Sequence, residues 1–315
     1  MKFLPSEDYR IVVITQGGLR HRRFALRIQE AFGSQVVGWF AVGGGSKTGS
    51  SGGRLAGLVG KLRRAAAMVL SKDGIESLNQ AKRGSVLHRL KAVYRAVRYS
   101  AKQVDLLRVG RMKQAGIDRA EKRIIAPDMA RLQTHQVVEP QKFADPTSDE
   151  FVAVVKNLKP YFILTLGGPL YPKALLECAT GAAINQHAGW APEYKGNATV
   201  YWALYHRSLA FLGSTVHLLT TGADAGPILR RGNPTLLPED SPFDCFIRVV
   251  VLGNELMIDA VREIIREKRV EAESQVPGEG RTYLSKEFTP ALMKQVCRDF
   301  RAGWLAQEMR RFKSS

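Results

Sequence analysis

The residues from Ile11 to Phe40 read IVVITQGGLRHRRFALRIQEAFGSQVVGWF, and the order of patterns in this stretch decides the fold class. The stretch begins with four consecutive apolar residues, which are typical of a strand covered on both faces. A glycine pair follows, and apolar side chains then recur at helical spacing at Phe24, Ile28 and Phe32. A second apolar run at residues 36–40 resembles another strand. We therefore predict a strand–helix–strand unit at the start of the chain.

The alternation of strand and helix patterns resumes after residue 130. Strands are predicted at residues 135–139, 161–166 and 182–187, and helices at about 148–158, 171–179 and 242–268. Two short runs, 215–220 and 228–231, flank a glycine-bounded turn and predict a hairpin. A last helix is predicted after Pro290. The pattern predicts an α/β protein with a mostly parallel, Rossmann-like sheet.

A basic helical insertion interrupts this alternation. A linker rich in glycine and serine covers residues 43–53, and residues 54–120 are helical in pattern. Residues 46–131 hold 20 Lys/Arg and 6 Asp/Glu, so most of the net charge of +18 lies there. One face of the helix that starts near residue 86 is cationic, with Lys91, Arg95, Arg98 and Lys102. This face is either a solvated surface over an apolar stripe or an anion-binding surface.

The predicted domain organisation follows from these patterns. Residues 1–270 are expected to form one domain, with the insertion at about 45–130, and residues 271–315 a short C-terminal extension. The chain has no run of the roughly 20 apolar residues that a membrane span needs, and MKFLPSEDYR lacks the apolar segment of a secretory signal. Cys178, Cys245 and Cys297 are few and scattered, without metal-ligand spacing. These features favour a cytoplasmic protein without a structural metal.

The stretch around Asn185 and His187 suggests chemistry. Side chains alternate along a strand, so these two residues project to the same side. Gly189 and Pro192 end the strand, and in open α/β sheets ligands bind beyond the carboxyl ends of the strands. An amide donor beside an imidazole suits a reaction that develops negative charge on a carbonyl oxygen. A third polar residue, Asp224, lies in a glycine-bounded turn where the backbone can approach a ligand closely.

Four short motifs follow one another in the second half of the chain: Asn185-x-His187, Pro192-x-Tyr194-Lys195-Gly196, Thr215-x-His217 and Asp224-x-Gly226-Pro227-Ile228-Leu229. In order and spacing they resemble the folate-dependent formyltransferases, a family that includes glycinamide ribonucleotide, methionyl-tRNA and sugar N-formyltransferases. The resemblance covers residues 160–232 and the first strand–turn–helix, but not the insertion or the extension. At Gly189 relatives usually carry Ser, so this chain departs from the family pattern and has no hydroxyl there.

The resemblance implies a formyltransferase fold and a catalytic triad. Asn185 and His187 would polarise the formyl carbonyl of the co-substrate 10-formyltetrahydrofolate, and Asp224 would hold His187 protonated and help to remove a proton from the amine. The triad requires the carboxylate of Asp224 to lie within reach of the His187 imidazole. His217 matches a family position and is interpreted as structural.

Two binding regions follow from the same resemblance. The folate would contact Gly168, Pro169, Leu170, Thr220, Thr221, Gly222 and Ala223. The first glycine turn would face the acceptor, where Gly18, Leu19, Arg20 and His21 offer backbone amides and basic side chains to a phosphate. The turn lacks the GxGxxG motif, so no dinucleotide cofactor is predicted.

The acceptor is expected to be an anionic small molecule with a primary amine, and a nucleotide-linked amino sugar fits the basic turn. Transfer-RNA formyltransferases carry a C-terminal β-barrel, for which the extension is short. A hydroxyornithine-type amine, glycinamide ribonucleotide and methionyl-tRNA remain alternative acceptors. Two alternative functions also remain: hydrolysis of formyltetrahydrofolate, and non-catalytic binding of nucleic acid or a membrane surface through the basic insertion.

Overall fold

A computed structural model of the protein describes residues 9–43 and 83–314. Within these residues a seven-stranded sheet and a two-stranded sheet are formed. The strands are β1 (Ile11–Thr15), β2 (Val36–Val42), β3 (Pro140–Phe143), β4 (Phe162–Leu166), β5 (Ala182–His187), β6 (Lys195–Gly196), β7 (Ser214–Leu218), β8 (Ile228–Gly232) and β9 (Thr282–Tyr283). The helices are α1 (Leu19–Phe32), α2 (Arg83–Ile124), α3 (Ala126–Gln133), α4 (Asp149–Asn157), α5 (Lys173–Leu176), α6 (Thr199–Tyr205), α7 (Pro242–Glu267), α8 (Pro290–Arg301) and α9 (Trp304–Ser314).

The large sheet has the strand order β3-β2-β1-β4-β5-β7-β8. The first five strands in this order are parallel, and β7 and β8 add an antiparallel hairpin at one edge. The prediction of a mostly parallel sheet with a hairpin at 215–220 and 228–231 is therefore confirmed. The carboxyl ends of β1, β4 and β5 meet at one edge of the sheet, because these three strands are parallel neighbours.

Alternate side chains of β1 enter the two apolar layers that cover the sheet. Ile11 and Val13 pack in a cluster with Phe24 of α1 and Val261 of α7. Val12 and Ile14 pack on the opposite face, in a cluster with α4 and α5 residues such as Phe151. Both faces of the strand are thus buried, which explains its continuous apolar sequence.

The start of α7 follows from local sequence. Ser241 caps the helix: its hydroxyl accepts the backbone N–H of Asp244, and the Asp244 carboxylate accepts the backbone N–H of Ser241. Pro242 at the first helical position needs no hydrogen-bond acceptor. The predicted helix at 242–268 is confirmed to within one residue at its end.

Two predicted elements differ from the structure. The strand predicted at 135–139 is wrong, because those residues are turn and coil and β3 begins only at Pro140. The apolar pair Val137–Val138 misled the prediction, although the side chain of Gln29 accepts their two backbone N–H groups in place of a sheet neighbour. The helix predicted at 171–179 is shorter and spans only Lys173–Leu176.

The chain divides into two compact units, residues 1–46 with 116–315, and residues 47–115. Helix α2 begins in the second unit and ends in the first. It confirms the helical character of the insertion from residue 83 onward. The predicted linker, apart from Gly43, and the helices predicted at 54–82 lie outside the described residues. Residues 271–314 belong to the unit that contains the sheet. Among the described helices, none is long and apolar enough to span a membrane.

Candidate active site

Three polar side chains, those of Thr165, Asn185 and His217, lie side by side on adjacent strands of the large sheet. Asn185 on β5 pairs in register with Thr165 on β4 and with His217 on β7. The hydroxyl of Thr165 donates to Asn185 Oδ1 over 2.7 Å, which points the amide nitrogen of Asn185 toward His217 Nε2 at 3.1 Å. The register of three strands therefore fixes the orientation of the Asn185 amide.

Asp224 approaches this row from the turn between β7 and β8. One carboxylate oxygen, Oδ1, lies 3.3 Å from Asn185 Nδ2 and 3.3 Å from His217 Nε2. The other, Oδ2, lies 3.2 Å from His187 Nδ1 and accepts the backbone N–H of Gly196 at 2.9 Å. The three residues that the sequence singled out as a triad, Asn185, His187 and Asp224, therefore converge, and the distance that the triad requires is present.

The carboxylate of Asp224 stays ionised in this setting. Burial would raise its pKa, but the nearby rings of His187 and His217 and the N–H of Gly196 hold the pKa of Asp224 well below its ordinary value. The carboxylate thus carries a negative charge at neutral pH, beside the side chains of Asn185, His187 and His217 and the N–H of Gly196.

The ring of His187 has acceptors at both nitrogens. Nδ1 faces the Asp224 carboxylate, and Nε2 lies 2.8 Å from the backbone carbonyl oxygen of Tyr194. A backbone carbonyl can only accept, so Nε2 is the donor in its hydrogen bond with Tyr194. An N–H at this position can donate to an oxygen that develops negative charge in the cavity.

His217 is nearly fully buried and contributes more than packing. Its Nδ1 lies 2.9 Å from the carbonyl oxygen of Leu218, so this nitrogen is the donor. Its Nε2 is left to accept from Asn185 when the ring is neutral, or to donate to Asp224 when the ring is protonated. The ring of His217, which the sequence interpreted as structural, contacts two residues of the predicted triad, Asn185 and Asp224.

The triad opens into a cavity of about 560 Å³, a size typical of small-molecule sites. Six of the seven residues expected to contact the folate line it, and Thr221 does not. Among them, Gly168 has φ of 120°, and a Cβ atom there would lie 2.2 Å from the hydroxyl of Tyr171. The close packing of this turn on Tyr171 therefore excludes a side chain at Gly168.

Two of the four residues that were expected to bind the acceptor line the cavity. Arg20 and His21 line the cavity, whereas Gly18 and Leu19 do not. The Arg20 guanidinium pairs with Glu121 at 2.7 Å and lies 5.7 Å from the centre of the Phe246 ring. Burial, together with the charge of Arg20, lowers the pKa of His21 to about 3, so this ring is neutral at neutral pH and adds no positive charge.

The C-terminal extension, to which the sequence assigned no role in the site, also lines the cavity. It contributes four residues, Thr282, Tyr283, Leu284 and Ser285. Strand β9 pairs with β6: Lys195 N–H donates to Arg281 O at 2.9 Å, and Asn197 N–H donates to Tyr283 O at 2.8 Å. A two-residue strand leaves no periodic signal in a sequence, so pattern analysis misses it. Gln16, Asn197 and Phe246 also line the cavity and were not predicted.

No group of three His, Cys, Asp or Glu side chains within residues 9–43 and 83–314 is placed to hold a metal ion. The polar groups of the cavity are instead hydrogen-bond donors and acceptors around one carboxylate. Such a site can bind a carbonyl compound, stabilise negative charge on its oxygen and move protons.

Comparison with known proteins agrees with this chemistry. The sequence model described as formyl transferase matches residues 84–261, which end before the segment that contains β9. The methionyl-tRNA formyltransferase of Thermodesulfovibrio yellowstonii is 32% identical over 124 residues, 39% of this chain and 39% of that enzyme. That of Pelobacter propionicus is 29% identical over 152 residues, 48% of this chain and 44% of that enzyme. The chain thus spans less than half the length of these relatives.

Among solved structures, a 4-N formyltransferase from Francisella tularensis is similar with a TM-score of 0.48 and 12% identity. The alignment covers 89% of this chain and 78% of that one.

Proposed function

This chain belongs to the formyl transferase family, and we propose that it transfers the formyl group of 10-formyltetrahydrofolate to a primary amine. The observation that carries the proposal is the convergence of Asn185, His187 and Asp224 in one cavity. The three residues are an amide, an imidazole and a carboxylate, which are the groups that acyl transfer to an amine needs.

In the proposed reaction, a bond forms between the amine nitrogen and the formyl carbon, and the bond from that carbon to the folate nitrogen breaks. The amine loses one proton, and the folate nitrogen gains one. Asn185 and His187 stabilise the negative charge that develops on the formyl oxygen. The His187 ring keeps its Nδ1–H on Asp224 and turns its Nε2–H from the Tyr194 carbonyl to this oxygen. Asp224 keeps the ring protonated and assists proton removal from the amine, through a water molecule.

We place the folate against the turn Gly168–Leu170 and the backbone of residues 220–224. These two segments follow β4 and β7, the strands on either side of β5, and they line the same cavity as Asn185, which supports this placement. The backbone of a glycine turn offers N–H and C=O groups without side-chain interference. Holding donor and amine together contributes through proximity.

We propose an amine of a nucleotide-linked sugar as the acceptor. Arg20 supports this, since its guanidinium lines the cavity and can bind a phosphate while still pairing with Glu121. Methionyl-tRNA is the second candidate, because the curated relatives above act in that reaction by name. Glycinamide ribonucleotide and a hydroxyornithine-type amine stay in the panel to be tested.

The experiment uses the full chain, purified and mixed with 10-formyltetrahydrofolate and one acceptor at a time. Release of tetrahydrofolate is followed by absorbance, and the acceptor is examined by mass spectrometry for an added formyl group. The panel holds several nucleotide-linked amino sugars, methionyl-tRNA, glycinamide ribonucleotide, N-hydroxyornithine and a sample without amine. The variants N185A, H187N and D224N serve as inactive references, and circular dichroism checks that they fold.

A formylated acceptor that forms with the wild type and not with the three variants supports the transferase. Formate release without any amine would identify a hydrolase instead. Binding of any polyanion with a steep dependence on salt, without turnover, would leave only the non-catalytic alternative.

We also propose that the enzyme works in the cytoplasm. Cys178, Cys245 and Cys297 are free thiols in the structure, and reduced cysteines are typical of that compartment. The assay in the presence of a reducing agent, compared with oxidised protein, tests whether the thiols must stay reduced for activity.

A further inference from the structure

We infer that Gln275, in the C-terminal extension, positions Asp224 for the reaction proposed above, on which this inference rests. The side-chain amide of Gln275 donates two hydrogen bonds, to the carbonyl oxygen of Asp224 at 2.8 Å and to that of Gly226 at 2.7 Å. One amide therefore clamps both sides of the turn that carries the carboxylate.

The turn needs such a clamp. Asp224 has φ of 49°, a left-handed conformation that residues with a side chain rarely adopt. On its other side the turn lies against β7, and a Cβ atom at Gly226 would be 1.8 Å from the carbonyl oxygen of Leu218. The turn is thus held between the strand and Gln275, which keeps the Asp224 carboxylate aimed at His187.

The C-terminal extension also positions Gly196, which is a hydrogen-bond partner of the Asp224 carboxylate. The Gly196 N–H donates to Asp224 Oδ2, and Gly196 pairs with Tyr283 across the two-stranded sheet. A Cβ atom at Gly196 would lie 2.4 Å from Tyr283 O, so the two backbones are in close contact. The extension therefore holds the backbone of Asp224 through Gln275 and its carboxylate through β9 and Gly196.

The segment is anchored on both sides of Gln275. Before it, Glu273 exchanges two backbone hydrogen bonds with Ile228 of β8, at 2.7 and 2.8 Å. After it, the Tyr283 ring stacks on Tyr194 at 5.6 Å between ring centres and on Trp202 at 4.8 Å. These contacts hold the backbone on both sides of Gln275 in place. The Gln275 amide can therefore stabilise the left-handed conformation of Asp224.

The first test compares kcat and KM of Q275L with those of Q295L, a matched control on α8, where Gln295 bonds to Asp299 away from the site. Leu keeps the approximate size of Gln and removes both donors. For Q275L we expect kcat to fall about 10- to 100-fold, because small misplacements of a reacting group cost that much. The KM for the folate should rise as well, because the turn that Gln275 holds includes part of the 220–224 backbone that we propose to contact the folate. Q295L should match the wild type.

The second test reads the position of Asp224 without any turnover. Lys195–Gly196 is the one Lys–Gly step in the sequence, so protein labelled with 13C-carbonyl lysine and 15N-glycine gives a single HNCO signal, that of the Gly196 amide. D224N should shift this signal, because the Gly196 N–H then loses its charged acceptor. Q275L should shift it in the same direction by at least half as much, and Q295L should not. Q275N, which keeps the amide but shortens its reach, should lie between, and it replaces Q275L if that variant does not fold.

The outcomes separate the two claims. If Q275L shifts the Gly196 signal but the wild type shows no transferase activity, Gln275 still positions Asp224 and the proposed function is wrong. An unshifted signal in Q275L overturns the inference, whatever happens to kcat. A shifted signal with kcat unchanged overturns it also, because the position of Asp224 would then not matter to the reaction.

Discussion

The backbone of Gly189 lies directly against the ring of His187. A Cβ atom at residue 189 would be 2.2 Å from His187 Nε2 and 2.6 Å from both the Tyr194 carbonyl oxygen and the hydroxyl of Thr199. The hydrogen bond between His187 Nε2 and Tyr194 O therefore exists only because residue 189 has no side chain. The departure from Ser at this position thus sets where the imidazole lies.

We expect G189A to move the His187 ring off Tyr194 O and to lower kcat about 10- to 100-fold, since the ring then loses its alignment with Asp224. The measurement is the steady-state rate of tetrahydrofolate release with a saturating acceptor. G110A is the control, because a Cβ atom at Gly110 meets nothing within 4 Å. A G189A enzyme as fast as the wild type would mean that the reaction does not depend on the close packing of residue 189 against the His187 ring.

Arg20 tests the acceptor side of the cavity. We expect R20A to raise the KM for an acceptor that bears phosphate about 10- to 100-fold, because a hydrogen bond to a charged group contributes about 1.5–3 kcal/mol. The KM for the folate and the value of kcat should change little. Arg22 is exposed and does not line the cavity, so R22A is the matched control. Equal effects of R20A and R22A would point to general surface charge.

His21 should make the folded state sensitive to acid. Its folded pKa is lowered to about 3, below the ordinary value of 6.5, so between these values the unfolded chain binds a proton that the folded chain does not. The free energy of unfolding therefore falls as pH decreases through this window, by up to about 1.4 kcal/mol per pH unit. Urea unfolding at pH 7, 6 and 5 should show a shallower loss in H21Q than in the wild type. Parallel curves would contradict the buried, neutral imidazole.

Asn254 hydrogen-bonds to β5, the strand that carries Asn185 and His187. It is fully buried, accepts from Arg23 at 2.7 Å and donates to Gln186 Oε1 at 2.8 Å, and Gln186 lies between the two triad residues of β5. N254A leaves the buried guanidinium of Arg23 without this acceptor, and we expect it to lower the free energy of unfolding by about 3 kcal/mol. N157A, at an exposed position at the end of α4, should change it by less than about 0.5 kcal/mol. Urea denaturation measures both.

Several elements were predictable because their signals are local. The continuous apolar run of β1, and the cap and proline that start α7, each lie within a few residues of chain. The strand at 135–139 was wrong because the apolar pair there bonds to the side chain of Gln29, more than 100 residues away. Such a partner has no counterpart in the local pattern.

The sequence by itself determined the mostly parallel sheet and the placing of Asn185 and His187 on one side of a strand, because strand periodicity is a local property. It also singled out Asp224 through the order of its motifs. Only the tertiary structure decided that Thr165 and His217 flank Asn185, since the register of neighbouring strands depends on long-range pairing. The same holds for Gln275 and β9, which reach the site through backbone contacts between distant segments, and such contacts do not depend on any repeating pattern of side chains.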